Sequence, residues 1–242
     1  MKIINTIKYV LIALLMIAGN AQLMAQNNAQ SIETDNLSAN TTLTRQNWNF
    51  IAYLDDEKIG YHNFEVINND GEMIVNTQAK FDVSFMFITV YSYEHRNKEI
   101  WSNECLISLD SSTLDGGEEL FVNLSNINGN TRIITPDSNI TKNSCIRSFA
   151  YWDYELINSK ELLNVQTGEL IDVSYNFVGS EKINVNNQSI DARHYQLKGK
   201  DSAGKLINIS LWYNSNDQWL ALQSVLDNGR SLRYQLTQES VQ

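Results

Sequence analysis

The sequence is short of the groups from which catalytic and metal centres are usually built. Its three histidines, His62, His95 and His194, stand far apart. No His-x-x-x-His or Cys-x-x-Cys spacing occurs, which argues against a dedicated zinc site. There is no Gly-x-Ser-x-Gly elbow and no Gly-rich phosphate loop. Cations are scarce too: 18 Lys and Arg face 28 Asp and Glu, a net charge of −10. Such a surface repels nucleic acid and anionic membrane faces, so nucleic acid is excluded as a partner. No apolar run is long enough for a bilayer span, since Tyr9 to Ala18 supplies about half of what one needs. The carboxylate pairs Asp55/Asp56 and Glu118/Glu119 flank turns, where solvated charge is the default and no glycosidase cleft is implied. No catalytic residue, cofactor or metal ligand emerges, and the residues lean toward a non-enzymatic role.

What is present at the start of the chain is a pattern of export. Lys2 and Lys8 precede the apolar run, and the segment closes in small and neutral residues from Ala21 to Ala25. A basic head, a short apolar centre and a cleavable end predict a signal peptide over 1–25, cut after Ala25, with Ala21 and Gln26 as alternative positions. No cysteine stands where a lipid anchor would attach. Removing this segment takes away two lysines and no acid, which moves the net charge from −10 to −12. The expected product is periplasmic or secreted. Residues 26–46, rich in Gln, Asn, Ser and Thr, cannot bury enough surface to order themselves and read as a flexible leader. In an oxidising compartment Cys105 and Cys145 favour a disulfide, with two buried free thiols as the alternative. Cys145 as a nucleophile beside Asp153 is the weaker reading, because nothing nearby would lower its pKa.

From Trp48 onward the period is two. Strands are expected at Trp48–Leu54, Gly60–Ile67, Glu72–Lys80, Phe81–His95, Glu99–Leu109, Glu118–Ser125 and Thr131–Thr135. Later ones are expected at Glu169–Val178, Lys182–Val185, Ser189–Leu197, Lys205–Tyr213, Trp219–Leu226 and Arg230–Leu236. Turn signals at Asp70-Gly71, Asn128-Gly129 and Asn228-Gly229 punctuate them. Strand follows strand without long helices between, so the fold class is mainly β. A single strongly curved antiparallel sheet, a half-barrel or incomplete barrel over 47–238, is expected. A short helical segment within 139–163 should cover it.

Phe81 to Tyr93 is the most unusual stretch. Read as one strand, it places Phe81, Val83, Phe85, Phe87, Tyr91 and Tyr93 on one face and Met86, Ile88 and Val90 on the other. Its length, about 40 Å at 3.3 Å per residue, suits a strand that curls around a barrel. With Phe64, Val66, Tyr175, Phe177 and Trp212 on facing strands, this face encloses either a packed core or a hollow for an apolar ligand.

The run Ser148-Phe149-Ala150-Tyr151-Trp152-Asp153, with Cys145 upstream, resembles a family of exported bacterial proteins, domain of unknown function 6134. So do Leu162-Leu163-Asn164-Val165-Gln166-Thr167-Gly168-Glu169, Gly229-Arg230-Ser231-Leu232-Arg233-Tyr234, Trp101 through Thr113-Leu114-Asp115-Gly116, and Leu211-Trp212-Tyr213 with Trp219 and Ala221. The likeness spans about residues 48–237 and carries no activity to transfer. The aromatic pattern is also similar to the lipoprotein-carrier fold, whose curved sheet holds acyl chains. That resemblance implies a carrier-like protein for a lipid, acyl or isoprenoid ligand or a lipid-bearing partner, with peripheral contact to the envelope. The expected ligand contacts are Phe81, Phe85, Phe87, Tyr91, Tyr93, Tyr151, Trp152 and Trp212. An envelope enzyme or enzyme accessory acting on lipid or glycan, and an interaction module with a filled core, stand as alternatives. In the motif itself, Phe149, Tyr151 and Trp152 form either a structural plug or a lid, and Asp153 pairs with Arg147 or caps the following turn.

Overall fold

A computed structural model describes residues 43–86, 88–226 and 228–237. The expected signal peptide and nearly all of the leader lie outside these residues, as do Phe87 and the side chain of Phe85. The first strand begins at Leu43, four residues ahead of the expected domain start.

Among the described residues, fourteen strands form one antiparallel sheet. The first half runs β1 (Leu43–Leu54), β2 (Glu57–Asn69), β3 (Glu72–Phe85), β4 (Ile88–Ser102), β5 (Cys105–Asp115), β6 (Glu118–Ile127), β7 (Asn130–Ile134) and β8 (Asn139–Lys142). The second runs β9 (Glu161–Leu163), β10 (Leu170–Val185), β11 (Gln188–Lys200), β12 (Leu206–Tyr213), β13 (Trp219–Val225) and β14 (Ser231–Leu236). Each half is a meander, and they join where β1 pairs with β14, from Phe50 opposite Leu236 to Leu54 opposite Leu232. The first and last strands therefore sit in mid-sheet, and the edges are β8 and β9.

The sheet curls but does not close through backbone pairing. Lys142 at the end of β8 meets Glu161 at the start of β9 with 2.7 Å between Nζ and a carboxylate oxygen. The segment between them supplies further links. Leu106 N–H donates to Ile146 O at 2.9 Å, and Leu163 N–H donates to Arg147 O at 2.8 Å. Ser148 forms a parallel bridge to Leu163. A Cys105–Cys145 disulfide fastens the segment to the start of β5. The β9 edge is thus covered rather than left as a template for pairing with other chains, while residues 139–141 on the β8 edge stay exposed.

Alternation explains the core. From Trp48, β1 buries every second residue, including Phe50, Ala52 and Leu54. Phe50 packs on Trp219 with ring centroids 4.3 Å apart, and Trp101 meets Trp152 edge-on at 5.7 Å. Burying a side chain of this size contributes about 2–3 kcal/mol. β2 and β3 approach closely at Gly60, where an added Cβ would stand 1.8 Å from the backbone oxygen of Lys80.

Three expectations about the strands and one about the helical segment are corrected. Phe81–His95 is not one strand: β3 ends at Phe85, Met86 turns with φ +49°, and β4 runs back from Ile88. Phe81 thus faces Tyr93 across a hairpin, and the longest strand is β10, with 16 residues. The face assignment survives for the described side chains, with Phe81, Val83, Tyr91 and Tyr93 buried and Met86, Ile88 and Val90 exposed. Glu99–Leu109 likewise breaks, at Asn103 and Glu104, both with positive φ. The expected strands at 169–178 and 182–185 are one, β10, carried through by a bulge between Phe177 and Gly179. The helical segment shrinks to one 3₁₀ turn, Tyr154–Asn158, flanked by the short strands β8 and β9.

Candidate functional site

The inner face is not uniformly apolar. On β4, His95, Asn97 and Glu99 point inward while Arg96 and Lys98 point out. Their neighbours in register are Ala79, Thr77 and Val75 on β3, and Thr113, Ser111 and Leu109 on β5. His62 on β2 lies opposite Ala79 and Phe64 opposite Thr77. His62, Thr77, His95, Asn97, Glu99, Ser111 and Thr113 are all buried, forming a polar patch across four strands.

Glu99 organises this patch. One carboxylate oxygen accepts from Asn97 Nδ2 at 3.1 Å. The other accepts from Trp101 Nε1 at 2.7 Å and Ser148 Oγ at 3.1 Å. Burial pushes its pKa up to about 7, against the pull of those three donors. His95 Nδ1 lies 2.7 Å from Thr113 Oγ1, and burial holds the ring down at about 4. His62 Nδ1 lies 3.0 Å from Tyr234 OH, and burial lowers its pKa well below the usual value, with His95 adding to the effect. Both imidazoles are neutral at neutral pH. Among the described residues, His62 Nε2, Asn97 Oδ1 and Ser111 Oγ are buried without a hydrogen-bond partner.

Facing this patch is the segment that follows β8. Asp153 performs both roles open to it: one carboxylate oxygen pairs with Arg147 and the other accepts from Glu155 N–H at 3.1 Å, capping the 3₁₀ turn. Tyr213 OH donates to Tyr151 O at 2.9 Å and holds the aromatic run against β12. Between patch and segment lies a cavity of about 240 Å³. Phe64, Phe149, Tyr151, Trp152, Ile207 and Ile209 give it apolar walls, while His62, Thr77, His95, Asn97, Glu99 and Ser148 provide its polar side. Leu206 and Val225 also line it and are 71% and 56% exposed, which marks the mouth.

The structure brings only part of the expected ligand set to this cavity. Tyr151 and Trp152 line it. They also pack into the core, Tyr151 on Trp219 at 5.5 Å and Trp152 on Trp101, so plug and lining are the same residues. Phe81 and Tyr93 stack on each other at 4.9 Å within the packed interior and are not among the lining residues. Tyr91 is buried near Gly116, away from the cavity. Trp212 sits on the outer face, stacked on His194 at 4.5 Å, with Nε1 donating to Glu181 at 2.7 Å. Its neighbours Leu211 and Tyr213 take the inward positions. Phe85 and Phe87 fall outside the described side chains. The polar patch was not anticipated. Its one signal is that β4 is polar at both parities between Glu94 and Glu99, which a strand with one solvated face does not require.

Among the described residues no group of three or more His, Cys, Asp or Glu is placed to hold a metal, and no helix is long and apolar enough to cross a membrane. No curated protein matches the chain. The fold is similar to a solved β-barrel-like protein of domain of unknown function DUF1849 from Brucella abortus. The TM-score is 0.58 at 9% identity, over 81% of this chain and 96% of that one, a likeness of fold alone. The family model for domain of unknown function DUF6134 matches residues 50–237, including the polar strand β4, the Tyr151-Trp152 segment and both halves of the sheet, and the chain belongs to that family.

Proposed function

We propose that the protein is an exported, non-enzymatic binding or carrier protein of the cell envelope, periplasmic or secreted. Its ligand is a hydrophobic small molecule or a single acyl or isoprenoid chain. The observation that carries this reading is the cavity between β2–β4 and the Tyr151-Trp152 segment, with aromatic and aliphatic walls and a mouth at Leu206 and Val225. A concave, mainly apolar pocket with a few placed polar groups is the usual form of a small-molecule site. Its 240 Å³ is about eight times the share of volume of a liquid water, roughly 30 Å³. That suits one short chain or one ring system and is too small for a two-chain phospholipid. Support for export comes from the basic, apolar and small-residue order of 1–25 and from the disulfide, which belongs to an oxidising compartment.

The competing reading, an envelope enzyme acting on lipid or glycan, would rest on Glu99, since a perturbed carboxyl beside a cavity is a usual mark of catalysis. Both Glu99 oxygens are engaged by Asn97, Trp101 and Ser148, which favours a structural and recognition role over proton transfer. Mass spectrometry of organic extracts from protein purified out of the periplasm tests the proposal. A stoichiometric small amphiphile is expected. An empty extract, together with no saturable uptake of medium-chain probes, would favour the interaction-module reading.

A further inference from the structure

The β3–β4 hairpin reaches past its neighbours. Cross-sheet pairing toward β2 stops where Phe81 meets Gly60, and toward β5 where Tyr93 meets Asp115. From Asp82 opposite Ser92 to Phe85 opposite Ile88, β3 and β4 pair only with each other among the described residues. At about 3.3 Å per residue, this free arm runs roughly 16 Å from Phe81 to Met86. Residues 83–93 carry no charge, while Lys80, Asp82, Glu94 and Arg96 stand at the base of the arm. A two-stranded ribbon is marginal in water by itself, and this one ends in apolar side chains. Met86 is 75% exposed and Ile88 67%, and Val90 is exposed as well. Met86 also holds φ +49°, a conformation that Gly, Asn or Asp adopts at less cost. The sequence nevertheless supplies Phe85-Met86-Phe87-Ile88 there instead of a turn former. A residue that costs backbone energy and also leaves apolar surface in water is placed for something other than the stability of the fold.

What covers the tip follows from its surroundings. An apolar tip on a charge-free stalk suits the boundary between lipid headgroups and acyl chains, where interfacial segments settle about 5–10 Å deep. The charged base sets the limit of entry. Passage into the hydrocarbon is closed off by the unpaired edges of the arm, whose backbone N–H and C=O groups would lose their water. The turns on either side are acidic, with Asp55, Asp56 and Glu57 before β2 and Asp115, Glu118 and Glu119 around the β5–β6 turn. They disfavour an anionic surface and oppose a second copy docked end to end. The pairing of β1 with β14 puts the β1–β2, β3–β4, β5–β6, β11–β12 and β13–β14 turns at one end of the sheet. Leu206, which opens β12, and Val225, which closes β13, mark the cavity mouth at that same end.

We propose that the tip of the β3–β4 hairpin, centred on Met86 and Ile88, is a membrane anchor that seats this end of the sheet on a lipid surface without net charge. The anchor goes beyond the carrier reading and is tested apart from it. The mature, disulfide-intact protein is floated with vesicles of phosphatidylethanolamine and phosphatidylcholine, and with vesicles in which phosphatidylglycerol replaces the phosphatidylcholine. The wild type is expected to float with the neutral set and to bind the anionic set more weakly, the gap closing as salt screens the acidic turns. Met86→Asp suits the positive φ, and Ile88→Glu changes an exposed position, so both are expected to melt as the wild type does. Each is expected to lower partition into neutral vesicles about tenfold. A wild type that does not float with neutral vesicles, or folded variants that float equally well, would overturn the anchor and leave the cavity reading intact. Binding to the anionic set alone, abolished by salt, would overturn it in favour of surface charge. A wild-type dimer that either variant dissociates, with no flotation, would overturn it and assign the tip to a second copy.

Discussion

Replacing Glu99 with Gln should change how stability depends on pH, in a direction fixed by the burial of this carboxyl. Its pKa rises from 4.5 to about 7 on folding. Below pH 4.5 the folded and unfolded chains both carry the proton, and the group contributes no difference. Between 4.5 and 7 the unfolded chain releases the proton while the folded one keeps it, so stability falls as pH rises. Above 7 both states are ionised and the penalty levels off. At about 1.4 kcal/mol per unit the full penalty is roughly 3 kcal/mol. His95 works in the opposite sense. Its pKa falls from 6.5 to about 4, so its contribution is complete above 6.5 and is lost as pH drops through 4. Between 4.5 and 6.5 the two slopes oppose each other in the wild type. Gln can occupy the same hydrogen-bond positions: its amide oxygen accepts from Trp101 and Ser148, and its amide nitrogen meets Asn97 once that side chain flips to present Oδ1. The stability difference, variant minus wild type, should therefore grow by about 3 kcal/mol from pH 4.5 to 7.5. Urea unfolding of both proteins at four pH values across that window, with the disulfide intact, measures it. A difference that stays constant, or that shrinks as pH rises, would refute the argument that burial dominates at Glu99.

Three further outcomes follow from other parts of the chain. Gly60→Ala should lower stability by about 1–3 kcal/mol, because the new methyl meets the Lys80 backbone oxygen and forces β2 from β3; an unchanged urea midpoint would show that the strands part freely. Changing both Cys105 and Cys145 to Ser should cost about 4 kcal/mol, the chain-entropy value for a bond spanning 40 residues, and a loss under 1 kcal/mol would mean the segment after β8 holds to β5 without it. Protein expressed with its own N-terminal segment should begin near Gln26 by intact mass, and recovery of the uncut chain would contradict the export reading.

The turns that the sequence announces are those built from residues suited to positive φ. Asp70-Gly71 and Asn128-Gly129 fall where the hairpins of β2–β3 and β6–β7 are found. The β3–β4 hairpin carries no such signal. Its turn passes through Met86 with φ +49°, a conformation that ordinary side chains seldom adopt, inside an unbroken run of strand-forming residues. Alternation still placed Phe81, Val83, Tyr91 and Tyr93 indoors, because a side chain's face depends on local parity and survives a misjudged strand end. Knowing that four residues face inward does not say what they face. Phe81 and Tyr93 found each other across the hairpin and filled their own space.

The hollow instead formed where the inner face turns polar, and this was the part hardest to read. His95, Asn97 and Glu99 alternate with Arg96 and Lys98, so a rule that sends polar residues outward assigns the strand no inside at all. The conflict could be resolved only by non-local partners. Trp101 and Ser148 satisfy Glu99, Thr113 satisfies His95 and Tyr234 satisfies His62, the last from a strand 172 residues away. Leucines at these positions would pack the same space more cheaply, since each buried polar group must recover its lost hydration. Retaining the polar groups beside an aromatic-walled cavity is poor design for a filled core and suits a pocket that takes a small molecule.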